Sequence, residues 1–271
     1  MNKAEFSKGR ERERRVHFDE IVEAYDKIRP EYPDELFSDI ISYSKGKNAL
    51  EIGAGTGKAT APFLGAGFGV TAVELGENMT QFLLSKFKGY NNFNAITSDF
   101  ENAVLENDVY DLVYAASAFH WVDTEIGCPK AFRILKSGGA FALFRYNVIH
   151  TDGNIIYEEL QEIYKKYYHK PYKKPIKLSR EKYLEPVEIL RGFGFEDLKT
   201  YGFTDISMKL YDAQQTYSAD EYLTFLDTLS DHRSLPESDR TALYAGVREI
   251  INKYGEYKKD YVFQLYMARK P

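Results

Sequence analysis

The sequence holds one cysteine, one tryptophan and five histidines in 271 residues, and no apolar run nears the roughly 20 residues a membrane-spanning helix needs. Its single thiol, Cys128, closes no internal disulfide, and one thiol with scattered histidines supplies no cysteine-rich zinc site, so no metal is expected. A reducing, cytoplasmic compartment is the expectation. Residues 1–15 are charged throughout, where a secretory signal would be apolar, so none is expected there. An excess of positive charge is also missing. Lys plus Arg is 36 against Asp plus Glu at 41, a formal charge of -5, and 44% of the residues are hydrophobic, which excludes both a disordered chain and an overall polycation built for nucleic acid. What is plentiful is aromatic: 22 Tyr and 18 Phe. Tyrosine offers an apolar wall with a polar tip, suited either to a ligand pocket or to core packing. The length fits one α/β domain with an appendage.

Along the chain, apolar positions at helical spacing run from Val16 to the Arg29-Pro30 break and again from Pro33 to about Ser44. The texture then changes. Short apolar runs at Ala49 to Ile52, Val70 to Glu74, Phe93 to Thr97, Tyr110 to Ala116 and Ala140 to Arg145 read as strands. Helical patterns stand between most of them, at Lys58 to Leu64, Glu77 to Phe87 and Ile126 to Leu135. Such alternation means βαβ units and a doubly wound, mostly parallel sheet, whose ligands bind beyond the carboxyl ends of the strands. After Arg145 the rhythm breaks into helical patterns at Asn154 to Tyr168, Arg180 to Arg191, Ala219 to Leu229 and Pro236 to Tyr254, with two further strands at Leu198 to Met208 and Tyr261 to Ala268. The expected division is residues 1–47 as N-terminal cap helices and 48–145 as an α/β core. Residues 146–197 form a helical variable region, and 198–271 the last two strands with an inserted helical cap.

The first strand runs into Gly53-Ala54-Gly55-Thr56-Gly57, where a tight turn and a helix start would turn backbone N–H groups toward a ligand. Spacing separates the users of this device. A phosphate-cradling loop needs glycine five residues before Gly57, where Ile52 stands, and Ser or Thr after Lys58, where Ala59 stands. A dinucleotide fingerprint needs glycine or alanine at position 58 or 60, and the chain has Lys58 and Thr60. What is present is Glu51-x-Gly53-x-Gly55-x-Gly57.

That turn resembles motif I of the class I S-adenosylmethionine-dependent methyltransferases, and further segments extend the resemblance. Glu74 ends the second strand, Ser98-Asp99-Phe100 follows the third, and Asp111 to Asp123 resembles the fourth-strand segment, including the His120-Trp121 pair of one small-molecule subgroup. Leu135-Lys-Ser-Gly-Gly139 resembles the turn before the fifth strand. Ala24-Tyr25-x3-Arg29-Pro30-x-Tyr32-Pro33 and Gly194-Phe195 resemble the lead-in and tail of that subgroup, which includes trans-aconitate-type methyltransferases. The resemblance implies a Rossmann-like seven-stranded methyltransferase fold with a helical cap. The implied cofactor is S-adenosylmethionine and the implied partner a small-molecule acceptor such as a carboxylate or a hydroxyl.

It also implies site residues. The turn (Glu51, Gly53, Ala54, Gly55, Gly57) would pass the amino-acid end of the cofactor, with Tyr25 and Arg29 beside its carboxylate. Glu74 would accept both ribose hydroxyls, Ser98, Asp99 and Phe100 would read the adenine, Leu75 and Met79 would cover the ring face, with core packing the alternative for Met79, and Ala115 would be a further cofactor contact. His120 is the candidate general base, since imidazole titrates near neutrality, and a histidine that orients substrate or packs for structure is the alternative. Trp121, Arg145, Tyr217 and Tyr222 are the candidate acceptor contacts, with helix packing the alternative for the two tyrosines. His17, His150, His169 and His232 have no partners at metal-ligand spacing and are expected to be structural. Two rival readings stay open. One is an RNA or protein methyltransferase using the stretch Lys165 to Lys182, which has eight basic residues and one acid, although Ala115-Ala116-Ser117-Ala118 stands where amine-methylating relatives carry Asn-Pro-Pro-Tyr. The other is a non-catalytic nucleotide-binding module or a nucleotide-dependent dehydrogenase.

Overall fold

The computed structural model describes residues 26–149, 153–168, 180–184, 188–190 and 193–271. Most of the helix expected from Val16, together with Tyr25, His17, His150, His169 and the middle of the basic stretch, lies outside the described residues, and residues 26–28 at its end are helical.

Helix α1 (Asp34–Tyr43) leads into β1 (Asn48–Ile52), α2 (Thr60–Gly65), β2 (Gly69–Glu74), α3 (Glu77–Lys86), β3 (Phe93–Thr97), β4 (Tyr110–Ala116), α4 (Thr124–Ile134) and β5 (Leu135–Val148). Helix α5 (Ile155–Tyr167), the short pair β6 (Glu188–Leu190) and β7 (Phe193–Gly194), and the long β8 (Thr204–Tyr217) follow. The chain then forms α6 (Ala219–Asp227), α7 (Ser230–Arg233) and α8 (Glu237–Tyr254) before closing with β9 (Tyr257–Arg269). Seven strands make one sheet in the order β3-β2-β1-β4-β5-β9-β8, while β6 and β7 pair separately. β3, β2, β1, β4 and β5 are mutually parallel, and β9 runs against both β5 and β8. The strand order reverses between β1 and β4, so the crevice beyond their carboxyl ends is where such a sheet takes a ligand.

The central strands are near-continuous apolar runs because both faces are covered. One face packs Leu36, Phe37, Phe63, Tyr114 and Phe144 with the cap residues Tyr217, Phe225, Leu243 and Val247. The other packs Leu50, Val113, Phe141 and Phe203 against Cys128 and Ala131 of α4. The aromatic surplus is spent mainly here. Tyr114, Tyr217, Tyr261 and Tyr266 are among the largest fully buried side chains. Three of these hydroxyl groups are hydrogen-bonded inside the core: Tyr114 donates to Glu51 at 2.9 Å, and Tyr217 and Tyr261 share a hydrogen bond at 2.8 Å.

Two elements differ from expectation. Where a helix is expected from Arg180 to Arg191, a single 3-10 turn (Arg180–Leu184) is followed by β6. Pro186 lies between them, and the residue before a proline is turned away from helix. Where a strand is expected over Leu198 to Met208, a 3-10 turn (Phe195–Tyr201) precedes β8, which continues to Tyr217. β8 is an edge strand whose outer residues Asp212, Gln214 and Gln215 dilute its apolar pattern, and its ladder with β9 reaches Tyr217–Tyr257.

Candidate active site

The carboxyl ends of β1 to β5 open on a cavity of about 370 Å³. Its floor is the turn after β1. Gly53 and Gly57 both take left-handed backbone, with φ of 66° and 79°. A Cβ on Gly53 would lie 2.7 Å from that of Ala118, so only a hydrogen lets the turn pass the end of β4. A Cβ on Gly57 would meet Phe87 at 2.5 Å and Leu83 at 2.9 Å. Gly57→Ala combines left-handed strain with crowding. It is expected to cost about 2–3 kcal/mol, seen as a fall of about 5 °C in Tm, because α3 must move off the turn. Unchanged Tm would mean that the turn reshapes freely.

Glu74 stands at the end of β2 on the cavity wall. Its carboxylate accepts from the Gly55 N–H at 2.7 Å and the Gly76 N–H at 3.1 Å, tying the two loops together. Leu75, Gly76 and the buried Met79 extend this wall. From β3 come Ser98, Asp99, Phe100 and Glu101. Asp99 accepts from the Asn102 backbone at 2.7 Å and side chain at 2.9 Å, while buried Phe100 carries the Lys130 ammonium 5.2 Å from its ring centre. From β4 come Ala116, Ser117 and Ala118, then His120 and Trp121, whose rings sit 5.0 Å apart. Arg145, Tyr146 and Asn147 enter from β5, and Leu229 and Asp231 from the cap. Arg29 closes this end, donating to the Tyr146 hydroxyl and, at 2.6 Å, to the Thr228 carbonyl.

The cavity therefore carries charges of both signs, with Asp231 of the cap among its acids. Glu74, Asp99 and Glu101 lie at the β2–β3 end, and Arg29 and Arg145 line the same cavity from the lead-in and β5. A methyltransferase domain model matches residues 50–143, the span from β1 to β5. The chain is 25% identical over 232 residues to an uncharacterized methyltransferase of Schizosaccharomyces pombe, covering 84% of each chain. It is 30% identical to a Saccharomyces cerevisiae protein assigned as an S-adenosylmethionine-dependent methyltransferase, covering 69% of this chain and 65% of that one. A structure from Anaeromyxobacter dehalogenans assigned as a type II methyltransferase superposes with a TM-score of 0.58 at 20% identity, covering 89% of this chain and 96% of that one. The chain is a class I S-adenosylmethionine-dependent methyltransferase. The dehydrogenase and non-catalytic readings give way to it, and its Rossmann-like sheet carries a helical cap.

Not every residue singled out from the sequence reaches the cavity of the methyltransferase. Gly53, Gly55, Glu74, Leu75, Met79, Ser98, Asp99, Phe100, Arg29, His120, Trp121 and Arg145 line it. Glu51 does not. Its side chain is fully buried behind the turn, where Thr60 and Tyr114 both donate to one carboxylate oxygen, and burial pushes its carboxyl up to about 8. Ala54 and Gly57 likewise build the turn from behind, Ala54 in the core and Gly57 under Phe87. Ala115 faces the α4 side of the sheet, because successive strand residues alternate, and Ala116 takes the cavity side. Tyr217 and Tyr222 are core residues rather than acceptor contacts: Tyr217 is held by Tyr261, and Tyr222 stacks on Phe225 at 5.9 Å and accepts from buried Lys259 at 3.2 Å. The helix-packing alternative wins for both.

The cavity also holds residues that the sequence did not single out. Ser117 takes φ of 54°, a left-handed conformation costing about 1–3 kcal/mol in a non-glycine residue. Its N–H donates to Phe144 at 2.7 Å and its Oγ accepts from Tyr32 at 3.0 Å, which hold it there. The small-residue run Ala115 to Ala118 is its only sequence trace. Tyr146 and Asn147 are missed because β5 runs three residues beyond the expected Arg145. Asp231 sits on a four-residue helix with no periodicity to mark it.

Proposed function

We propose that the methyltransferase acts on a small molecule, with a carboxylate or a hydroxyl as the accepting group, in the manner of the trans-aconitate-type subgroup. The observation that carries this reading is one walled cavity of about 370 Å³ that holds carboxylates from the ends of β2 and β3 and a guanidinium, Arg145, from β5. The carboxylates suit a cationic, hydroxyl-bearing cofactor, and the Arg145 guanidinium suits an anionic acceptor. The pocket fits S-adenosylmethionine: left-handed Gly53 brings bare backbone to the wall, and the Glu74 carboxylate stands at the β2 edge beside it.

In this reading Gly53 and Gly55 hold the amino-acid end, Arg29 pairs with its carboxylate, Glu74 accepts the ribose hydroxyls, and Asp99 with Phe100 holds the adenine. Leu75 and Met79 cover the ring. When bound, S-adenosylmethionine supplies an electrophilic methyl group on a sulfonium whose charge is lost on in-line transfer. The chain's own work is alignment and exclusion of water, to which the apolar lining residues Trp121, Val122 and Phe100 contribute. Arg145 would hold the acceptor, and His120 would take a proton where the nucleophile is a hydroxyl. A carboxylate acceptor arrives already ionised and needs no base.

The test is a methyl-transfer screen over small acids, alcohols and amines, read as S-adenosylhomocysteine release. Turnover confined to RNA or protein substrates would overturn the reading. Once an acceptor is found, His120→Ala is expected to cost about 100-fold in kcat on a hydroxyl and little on a carboxylate. Full activity on a hydroxyl acceptor across pH would remove His120 from the chemistry.

A further inference from the structure

Among the described residues, the helices inserted between β8 and β9 contribute an acid to the cavity wall, Asp231, and a built network fixes it. The Asp231 Oδ1 accepts from the His232 backbone N–H at 2.9 Å and lies 3.0 Å from His232 Nδ1. Its Oδ2 accepts from the Tyr168 hydroxyl at 2.5 Å. The far ring nitrogen of His232 is 2.9 Å from the Tyr164 hydroxyl. Tyr164 and Tyr168 stand one turn apart at the end of α5, and their rings lie 5.7 and 4.9 Å from that of His232. His232 is 4% exposed, so two tyrosines of one helix clamp an Asp-His pair of another. Such a network is more than a surface capping contact. A carboxylate with three donors of fixed direction has its plane and charge set in advance, which is how a binding group is preorganised.

Burial pushes the Asp231 carboxyl up, but the hydrogen bonds and charge of His232 and the Tyr168 hydroxyl outweigh it and hold the group well below the usual carboxylate range. Asp231 is therefore a fixed anion at neutral pH. It shares the cavity wall with Arg29 and Arg145, and Arg29 is bound to the Thr228 carbonyl three residues before it. An acceptor with acidic groups alone would meet the Arg145 guanidinium and be repelled by Asp231. One that also presents a hydroxyl or ammonium satisfies both signs, so the carboxylate discriminates by penalising the wrong ligand as well as holding the right one.

We infer that Asp231 is a specificity-determining residue of the acceptor end, selecting a small anionic acceptor that carries a hydroxyl or ammonium donor beside its acidic group. Tyr168 and His232 are its positioning residues. This rests on the cap end being the acceptor end, as in the function proposed above.

Calorimetry on the full chain loaded with S-adenosylhomocysteine tests it with three probes that differ at one carbon: succinate, malate and aspartate. The expected result is at least tenfold tighter binding of malate or aspartate than of succinate, the preferred member showing whether hydroxyl or ammonium is recognised. In Asp231→Asn the preference falls to about threefold or less while S-adenosylhomocysteine binds as in the unaltered protein, which also certifies the fold. Tyr168→Phe, which frees one carboxylate oxygen, is expected to reduce the preference without changing succinate affinity. If all three acids bind alike, or the preference survives in Asp231→Asn, the role of Asp231 is overturned while an anionic acceptor stands. If none binds although S-adenosylhomocysteine does, the anionic acceptor end falls and the inference with it. Loss of S-adenosylhomocysteine affinity in a folded Asp231→Asn would assign the residue to the cofactor and overturn the inference.

Discussion

Glu74→Ala is expected to raise the Kd for S-adenosylhomocysteine about a thousandfold while the sheet stays folded. The carboxylate accepts the Gly55 and Gly76 N–H groups and stands on the cavity wall, where the proposed binding mode has it accept two ribose hydroxyls. Hydrogen bonds to a charged acceptor contribute roughly 1.5–3 kcal/mol each, so losing two costs about 4 kcal/mol, or about a thousandfold in Kd. The Gly55 N–H also loses its acceptor, so the glycine turn is released from β2. The fold survives because Glu74 lies at a strand end, outside both core clusters. Calorimetry checks the affinity and a thermal melt checks the fold. Glu74→Gln keeps one acceptor oxygen and is expected to retain part of the affinity. Wild-type affinity in Glu74→Ala would assign the ribose to another group.

The different standing of Glu74 and Glu51 marks how far the sequence carries. Both acids end strands beside the glycine turn, and the resemblance assigns both to the cofactor. Strand periodicity and the order of βαβ units made the parallel strands legible to within a few residues, because buried strands leave dense apolar runs. The glycine turn, Glu74 and the Ser98 to Phe100 segment follow strand ends, which the alternation itself locates. Which side of the turn a side chain faces is another matter. Glu51 points back toward Tyr114, 63 residues away, and only the packing of β4 against β1 reveals it. The end proposed for the acceptor was less legible still. Tyr217 and Tyr222 carry the composition of a pocket wall yet fill the core, while Asp231 owes its place to Tyr168, 63 residues earlier. Contacts of that separation leave no local pattern in the chain.

The buried titratable groups predict an unusual dependence of stability on pH. Burial pushes the Glu51 carboxyl from 4.5 to about 8, against the hydrogen bonds from Thr60 and Tyr114. Its folded state holds a proton that the unfolded chain releases, so its contribution is intact below pH 4.5 and is lost as pH rises toward 8. A displacement of that size corresponds to on the order of 5 kcal/mol. Lys259 acts in the opposite sense at higher pH. Its ammonium lies 4.7 Å from the Phe225 ring centre and 4.9 Å from that of Tyr222, and burial, with the Arg29 charge adding to it, brings the group from 10.5 down to about 7. The unfolded chain binds that proton more readily between those values, so stability recovers as pH rises above 7. The carboxyls held low, Asp39 and Asp231, gain their contribution below this window, as pH rises through the ordinary carboxylate range. Denaturant melts are therefore expected to show greatest stability near pH 5, a minimum between pH 7 and 8, and partial recovery by pH 9. Glu51→Gln mimics the protonated acid: its carbonyl accepts from Thr60 and Tyr114, and its amide takes the position of Oε1, which has no hydrogen-bond partner among the described residues. It is expected to match the unaltered protein at pH 5 and to exceed it by several kcal/mol at pH 8, removing the descending limb. A profile that is flat from pH 5 to 8, or unchanged by Glu51→Gln, would mean that the carboxylate is charged in the folded protein and that the turn is built around an ion.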